Sequence, residues 1–268
     1  MSTPIALSIA GSDSSGGAGI QADLKTFAAL GVYGASVITA LTAQNTREIR
    51  EIYDLPASFV RIQMETVFAD LAIRSVKTGM LSQPEVIVTV ADYFRSYPAL
   101  PIVVDPVMVS KSGKTLLSPK AIDMLKTQLI PLSAVITPNI PEAAILLDIA
   151  TDDVEKQRDA ACKQLFDLGS KAVVLKGGHG KGSLSEDLFY DGQSVTPLPG
   201  PRITTTNTHG TGCTFASAIA AHLAHGVSPL SASRFAKEYI TGAIAAAGSL
   251  EVGHGHGPVH HFFQQKRR

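Results

Sequence analysis

The residues best suited to chemistry lie in a glycine-flanked stretch at positions 207–215, with the sequence NTHGTGCTF. Apolar side chains then recur every four positions, at Phe215, Ile219 and Leu223, which predicts an amphipathic helix. A glycine loop at a helix N-terminus presents backbone N–H groups and the positive end of the helix dipole, and this arrangement binds phosphate. Cys213 stands at the mouth of the helix, where a reacting group would be bound. By itself, the stretch is equally typical of a helix start with a flexible glycine lead-in.

Two carboxylates and an amide follow apolar runs that are typical of buried strands. Asp105 ends one run, and Asn139 and Glu142 follow another that ends at Thr137. Because Mg²⁺ binds few carboxylates and keeps several waters, these three residues could hold a hydrated Mg²⁺ near a phosphate loop. Asn139 and Glu142 also have the spacing of a helix N-cap and its capping-box partner, and the two roles are compatible.

A lysine at the end of a further apolar run suits a nucleotide phosphate. Lys176 follows the run 172–175 and meets Gly177, although an exposed strand-end lysine is the plainer alternative. The glycine-rich segment 177–183 is not a P-loop, because Gly182 interrupts the required Gly-Lys-Ser/Thr ending. The histidines at 254, 256, 260 and 261 lack cysteine or carboxylate company at zinc spacing. We interpret them as part of an ordered C-terminal segment packed near the site.

The elements that must position these residues follow from the alternation of short apolar runs with helical patterns. This alternation predicts a largely parallel sheet with helices on both faces. The expected strands are 5–10, 35–42, 73–77, 102–105, 134–137 and 172–176, and Asp191-Gly192 predicts a β-hairpin. The expected helices are 20–30, 58–70, 84–95 and two alanine-rich helices from Cys213 and about Pro229. With no internal repeat or linker, we expect a single domain over residues 1–268.

Polar residues gather at the expected carboxyl ends of the strands, where open parallel sheets bind their ligands. This pattern predicts one composite active site. The residues concerned are Gly11, Asp13, Gln44, Asn45, Asp105, Asn139, Glu142, Lys176 and Gly177.

Composition excludes several other functions. The chain has 268 residues, 45% of them hydrophobic, and 23 basic residues balance 23 acidic ones. A chain with no net charge has no overall field for a polyanion, so we expect no binding to nucleic acid or to acidic membranes. Two cysteines form no disulfide framework, and Cys162 has the setting of a packed structural thiol. With no signal peptide and no long apolar run, the expected location is the cytoplasm.

Taken together, the glycine loop opening a helix, the strand-end lysine and the Asn-x-x-Glu resemble the ribokinase superfamily. Within it, the chain is most similar to the hydroxymethylpyrimidine/phosphomethylpyrimidine kinases of thiamine biosynthesis. The similar segments are 5–23, 42–45, 77–80, 104–107, 137–139, 175–178, 207–213 and 255–261, which together run along essentially the whole chain. The resemblance implies a ribokinase-like three-layer α/β/α sandwich with a mostly parallel central sheet and no separate lid domain.

The resemblance also implies a role for each site residue. The aminopyrimidine ring would be bound by Gly11, Asp23, Gln44, Met80 and Val107. Mg²⁺ would be held by Asp105 and Glu142. ATP would be bound by Asn139, Lys176, His209, Gly210, Thr211 and Gly212. The catalytic residues would be Cys213, Lys176, Gly210 and Gly212, with backbone N–H groups stabilising charge in the transition state.

One position departs from the wider superfamily, whose sugar kinases place an aspartate base where this chain has Cys213. The pyrimidine-kinase branch also has cysteine there. Because a helix N-terminus lowers a thiol pKa, a thiolate base is feasible, although phosphoryl transfer depends mostly on positioning. We therefore expect Cys213 either to orient or to deprotonate the substrate hydroxyl.

The implied activity is ATP-dependent phosphorylation of 4-amino-5-hydroxymethyl-2-methylpyrimidine, and then of its monophosphate, by a homodimer. Two alternatives stay open, a pyridoxal or pyridoxine kinase of the same superfamily and a non-catalytic ligand sensor. We also expect a mobile flap over residues 110–115, which are rich in small and polar side chains, and a disordered tail from residue 263 to 268.

Overall fold

The computed structural model of the protein describes residues 3–108, 116–178 and 184–265. Across these residues, nine strands form one sheet in the order β3-β2-β1-β4-β5-β6-β7-β8-β9. The strands are β1 Ile5–Asp13, β2 Tyr33–Gln44, β3 Ile49–Asp54, β4 Ser75–Thr78, β5 Ile102–Val104, β6 Val135–Ile136, β7 Val173–Leu175, β8 Asp187–Tyr190 and β9 Val195–Leu198. Pairing is parallel from β2 to β7, and β3, β8 and β9 are antiparallel.

Helices cover both faces of this sheet. They are α1 Gly19–Ala29, α2 Ala57–Asp70, α3 Pro84–Phe94, α4 Pro119–Met124, α5 Ile140–Leu147, α6 Thr151–Lys156, α7 Arg158–Phe166, α8 Thr211–Ala224 and α9 Pro229–Ala245. Helix α4 is followed by a π turn, Leu125–Leu129, and a 3₁₀ turn, Ile130–Leu132. Helix α9 is followed by another 3₁₀ turn, Ala246–Ser249.

Two hydrophobic cores lie on opposite faces of the sheet, because successive strand side chains point to opposite sides. In β5, Ile102 and Val104 join the core formed with α2, α3, α5 and α7, whereas Val103 joins the core formed with α1, α8 and α9. This arrangement confirms the expected three-layer α/β/α sandwich. All described strands belong to the one sheet, in agreement with the expectation of no separate lid.

The expected elements agree with the structure except at one sheet edge and in one helix. The hairpin at Asp191-Gly192 is confirmed, since β8 and β9 pair there and Gly192 has φ of +90°. Strand β3 was missed because its sequence, IREIYD, is charged and has no apolar run. Helix α8 is not amphipathic, because every residue from 214 to 221 is buried. It packs against β1, β4 and β5 on one side and against α1 and α9, and its small alanines permit this close approach.

Three further expectations concern the ends and loops of the chain. The expected tail is wrong at Phe263, whose ring packs 5.6 Å from that of Tyr239. The flap expected at 110–115 lies outside the described residues. Within the described ranges, no helix has both the length and the apolar character needed to cross a bilayer.

Candidate active site

A cavity of about 820 Å³ lies at the carboxyl edge of the parallel strands, beside the N-terminus of α8. It brings together all but one of the fourteen expected site residues. Those that line it are Gly11, Gln44, Met80, Asp105, Val107, Asn139, Glu142, Lys176, His209, Gly210, Thr211, Gly212 and Cys213. Asp23 is the exception.

The glycine loop forms the expected helix start. Gly210 is the N-cap of α8 with φ of +76°, and a Cβ there would lie 1.8 Å from the carbonyl oxygen of Gly17. No side chain caps this helix, which leaves its first-turn N–H groups to a bound anion. A Cβ on Gly212 would lie 3.4 Å from Lys176 Nζ and 3.7 Å from Asp105 Oδ2. The helix start therefore faces a group of charged side chains.

That group consists of Lys176 between two carboxylates. Lys176 Nζ donates to Asp105 Oδ1 at 3.0 Å and lies 3.9 Å from Glu142 Oε2. Burial lowers the pKa of Lys176, but Asp105 and Glu142 outweigh burial and leave that pKa raised. Burial raises the pKa of Glu142 to about 7, with Asp105 adding to the rise and Lys176 opposing it. The lysine thus stays charged, and the Glu142 carboxyl binds a proton more readily than a free glutamate.

Asn139 and Glu142 also form the capping box that the sequence left open as an alternative. Asn139 Oδ1 accepts from the backbone N–H of Glu142, and Glu142 Oε2 accepts from that of Asn139, both at 2.8 Å. The Glu142 carboxylate therefore caps the start of α5 and at the same time lies 3.9 Å from Lys176.

The donor chemistry at this point fits Mg²⁺. Carboxylate oxygens of Asp105 and Glu142 already converge on a cation, the ammonium of Lys176. The described residues contain no cluster of three or more histidine, cysteine or acidic side chains suited to a metal. A cation there would take its remaining ligands from water and phosphate oxygens, as is usual for Mg²⁺.

Cys213 lines the cavity, but its environment does not favour a thiolate. Burial raises the pKa of the Cys213 thiol to about 11, since Asp23 and Asp105 add to the rise and Lys77 only partly offsets it. Burial therefore outweighs the influences that lower this pKa, and the thiol is neutral at pH 7. Cys162 is fully buried in a core, as expected for a structural thiol.

Asp23 does not reach the cavity, so the expected contact with a pyrimidine ring is wrong for this residue. It is fully buried, and its carboxylate accepts hydrogen bonds from Ser8, Lys77 and Ser217 at 2.6 to 3.0 Å. Lys77, which sequence reasoning did not single out, lines the cavity floor. The expected strand 73–77 ended at Lys77, so the sequence did not show that this lysine is buried and needs a carboxylate partner.

The opposite part of the cavity has the surfaces that a small polar ring needs. Gln44 Nε2 lies 3.4 Å from His209 Nε2, and its side-chain oxygen accepts from Thr42 at 3.1 Å. Met80 lies against Gly11 so closely that a Cβ on the glycine would be 2.6 Å from the methionine methyl carbon. An amide and an apolar surface are thus presented side by side.

Asp13 joins the loop between β1 and α1, residues 14–18, to the glycine loop before α8, a function that sequence reasoning did not assign to it. Its carboxylate contacts His209 Nε2 at 2.8 Å and accepts backbone N–H groups of Ser15, Gly17 and Ala18 at 2.8 to 3.1 Å. Burial raises the pKa of Asp13, but the hydrogen bonds from His209 and Ser15 outweigh burial and hold it well below its usual range. An ionised carboxylate therefore anchors the first loop to the second.

The C-terminal segment packs on the site, as expected. His209 donates its backbone N–H to Gly257 at 3.0 Å, and His256 donates its own to Thr46 at 2.9 Å. His261 Nε2 lies 3.0 Å from the hydroxyl of Thr214, next to Cys213. The segment therefore ties the turn after β2 to the start of α8.

An anion-binding helix facing a lysine and two carboxylates, at the carboxyl edge of a parallel sheet, defines a phosphotransferase of the ribokinase-like class. A sequence model of the phosphomethylpyrimidine kinase family matches residues 13–260. The chain is 54% identical to the hydroxymethylpyrimidine/phosphomethylpyrimidine kinase of Rhizobium meliloti. The alignment spans 262 residues, which is 97% of each chain. The chain therefore belongs to the phosphomethylpyrimidine kinase family.

Solved structures agree with this fold. The pyridoxal kinase from Staphylococcus aureus in complex with ADP is 35% identical, with a TM-score of 0.91 over 99% of this chain and 96% of that one. The phosphomethylpyrimidine kinase from Clostridium difficile 630 is 44% identical, with a TM-score of 0.77 over 90% of this chain and 99% of that one. The ribokinase-like architecture is thus shared by kinases that are named for two different rings.

Proposed function

We propose that this protein transfers the γ-phosphoryl group of ATP to the hydroxymethyl oxygen of 4-amino-5-hydroxymethyl-2-methylpyrimidine. It then phosphorylates the monophosphate to the diphosphate, which supplies thiamine diphosphate biosynthesis. The observation that carries this proposal is the position of Lys176, 3.0 Å from Asp105 and facing the glycine-headed start of α8. Membership of the phosphomethylpyrimidine kinase family supports the choice of substrate.

The ring occupies the part of the cavity between Gln44 and Met80. Gln44 has the donor and acceptor that an aminopyrimidine edge requires, and Met80 with Val107 offers apolar surface to the ring faces. Gly11 leaves room for Met80 and for the ring. Asp23 acts from beneath this pocket rather than in it, because its oxygens are taken up by buried partners.

In the transfer step, the hydroxymethyl oxygen forms a bond to the γ-phosphorus while the bond from that phosphorus to the bridging β–γ oxygen breaks. ADP leaves, and the hydroxyl proton passes to solvent. The backbone N–H groups from Gly210 to Cys213 stabilise charge on the transferring phosphoryl group, and Lys176 neutralises it. Asp105 and Glu142 would hold Mg²⁺, which neutralises the nucleotide phosphates when bound.

The Cys213 thiol orients the acceptor oxygen instead of removing its proton. A thiol with a pKa of about 11 is protonated at neutral pH and offers a weak hydrogen bond. Two acceptors, a hydroxyl and then a phosphate, can use one site because the ring stays bound and the exocyclic arm faces ATP. Transfer that depends on positioning accepts either acceptor.

The test is ADP release with Mg²⁺-ATP against the hydroxymethylpyrimidine, its monophosphate, pyridoxine and ribose in parallel. Turnover on both pyrimidines with little on the others is the expected result. Turnover mainly on pyridoxine would overturn the proposal in favour of the vitamin B6 reaction. Binding of the pyrimidine by calorimetry without any ADP release would instead make the protein a sensor.

Assembly and location are proposed on the same basis. We propose that a single domain over residues 1–268 acts as a homodimer in the cytoplasm. Light scattering should then give twice the chain mass of 28.2 kDa. A mass of one chain at micromolar concentration would contradict the dimer and leave the proposed reaction untouched.

A further inference from the structure

A buried ion pair lies beneath the start of α8, and the transfer step described above does not use it. Lys77 Nζ donates to both carboxylate oxygens of Asp23, at 3.0 and 2.9 Å. Both side chains are 0% exposed. Removing two charges from water is costly, so a pair kept this deep calls for an explanation beyond stability.

The pair joins four elements at one point. Asp23 is on α1 and Lys77 on β4, and the carboxylate also accepts the hydroxyls of Ser8 on β1 at 2.6 Å and Ser217 on α8 at 2.7 Å. Ser217 follows Cys213 by four residues, and residues four apart lie on the same face of a helix. The ion pair is therefore attached to the face of α8 that carries Cys213.

Lys77 also lies directly beneath the cavity surface, as one of the residues that line the cavity, although its side chain is closed to water. A Cβ on Gly79 would lie 2.8 Å from Lys77 Nζ, so glycine is needed there to admit the ammonium. The charged groups that act electrostatically on Cys213 are Lys77, Asp23, Asp105 and Lys176, and all of them except Asp23 line the same cavity as the thiol. Lys77 is the strongest of these in favouring a negative charge at the sulfur, and the two carboxylates oppose it.

We propose that Lys77 is a positioning residue, whose ammonium, held by Asp23, supplies positive charge behind Cys213 and fixes the first turn of α8. The thiol and the anion-binding N–H groups then meet the acceptor oxygen in one geometry. The kinetic part of this inference rests on the proposed kinase reaction. Its chemical part does not, because the reactivity of the thiol can be measured without any substrate.

The chemical test uses a Cys162→Ala background, in which Cys213 is the single remaining thiol. The rate of alkylation by iodoacetamide at pH 8.5 reports the thiolate fraction. Lys77→Met should slow alkylation about tenfold, since each unit of pKa changes that fraction tenfold. Lys77→Met/Asp23→Asn avoids an unpaired buried carboxylate and should slow alkylation in the same direction by a smaller factor.

Lys237→Met is the matched control. Lys237 pairs with Asp187 at 2.8 Å and is also buried, but that pair holds the backbone N–H of Gly177 and not the first turn of α8. It should leave the alkylation rate within about twofold of the background. Equal slowing in Lys237→Met, or unchanged rates in both Lys77 variants, would overturn the proposal.

The kinetic test separates positioning from binding. ADP release by Lys77→Met/Asp23→Asn should show a kcat about tenfold lower with a KM for ATP within about twofold, because Lys77 acts through Cys213 and α8 and not on the nucleotide. A raised KM with unchanged kcat would overturn the positioning role. If no pyrimidine supports turnover in the parent while alkylation still responds to Lys77, the proposed function fails and the electrostatic inference stands.

Discussion

Two lysines near the start of α8, the buried Lys77 and the partly exposed Lys176, are each paired with carboxylate and differ in how completely their hydrogen bonds are satisfied. Lys77 contacts both oxygens of Asp23, which also accepts two serine hydroxyls, and the group is closed to water. Lys176 donates to Asp105 but stands 3.9 Å from Glu142, and its side chain is 15% exposed.

This difference distinguishes the Lys77 pair, which stabilises the fold, from the Lys176 pair, which can bind a ligand. A fully hydrogen-bonded pair loses much if either partner is removed, because the other charge is left buried. A lysine with one good hydrogen bond and an open side can turn to a ligand at little cost. Incomplete satisfaction, more than burial, therefore marks Lys176 as the lysine that meets phosphate.

The largest effect is expected from breaking the closed pair. Lys77→Met should lower the free energy of unfolding by about 3 to 5 kcal/mol, because Asp23 stays buried without its counter-ion. Urea unfolding at pH 7 measures this change, and Lys77→Met/Asp23→Asn should recover part of it. A loss below about 1 kcal/mol for the single variant would mean that the two lysines do not differ in the way described.

The matching change on the open side should affect turnover instead. Lys176→Met should lower kcat about 10²- to 10³-fold, as expected for the loss of one preorganised charge contact in the transition state. Its loss of unfolding free energy should be smaller than that of Lys77→Met, since Asp105 keeps a hydrogen bond from Thr137. Steady-state ADP release and urea unfolding on the same preparations decide this, and equal stability losses would remove the distinction.

The sequence predicted the site around Lys176 far better than the buried pair of Lys77 and Asp23. Asp105, Glu142 and Lys176 could be grouped because parallel strands end at one edge of a sheet, so residues far apart in the chain meet there. The sequence analysis placed Asp23 in the ligand pocket, whereas the structure buries it beneath the pocket. Its spacing from Ile20 and Phe27 places it on the buried face of α1, but the segment's resemblance to a substrate-binding motif outweighed that pattern.

Sequence periodicity also could not show which charges sit behind α8. The partner of Asp23 is 54 residues away on another element, and only the fold brings Lys77 to it. The two roles considered for Cys213 could not be separated for the same reason, since a helix N-terminus is visible in sequence and the burial that raises the thiol pKa is not. Local rules identify an end of a helix, but the charge balance there depends on neighbouring elements.

A pH titration should show how far the buried side of α8, where Lys77 and Asp23 lie, depends on a neutral histidine. Burial, with Lys25 and His260 adding to it, lowers the pKa of His261 to about 4, and His261 contacts Thr214 on α8. Since the unfolded chain binds that proton with a pKa near 6.5, the stabilisation is full above pH 6.5 and is lost as the pH falls towards 4.

The expected loss is about 3 kcal/mol of unfolding free energy over this range, from the size of the shift. His261→Gln keeps a polar side chain beside Thr214 and should flatten the decline relative to the parent protein. Unfolding in urea at pH 7, 6, 5 and 4 measures both curves. Parallel curves would show that the closed side of α8 does not depend on a neutral histidine.

The smallest expected effect comes from Cys213, on which both Lys77 and Lys176 act electrostatically. Cys213→Ala should lower kcat only about tenfold, because a neutral thiol contributes one weak hydrogen bond to the acceptor oxygen. Cys213→Ser, which keeps a hydroxyl donor in the same place, should recover part of that loss, and ADP release on the hydroxymethylpyrimidine measures both variants. A loss of 10³-fold or more in Cys213→Ala, with Cys213→Ser no better, would instead identify the thiol as the base that removes the proton. The positive charge of Lys77 would then act on catalysis directly through the thiolate, and the closed pair would belong to the chemistry as much as the open one.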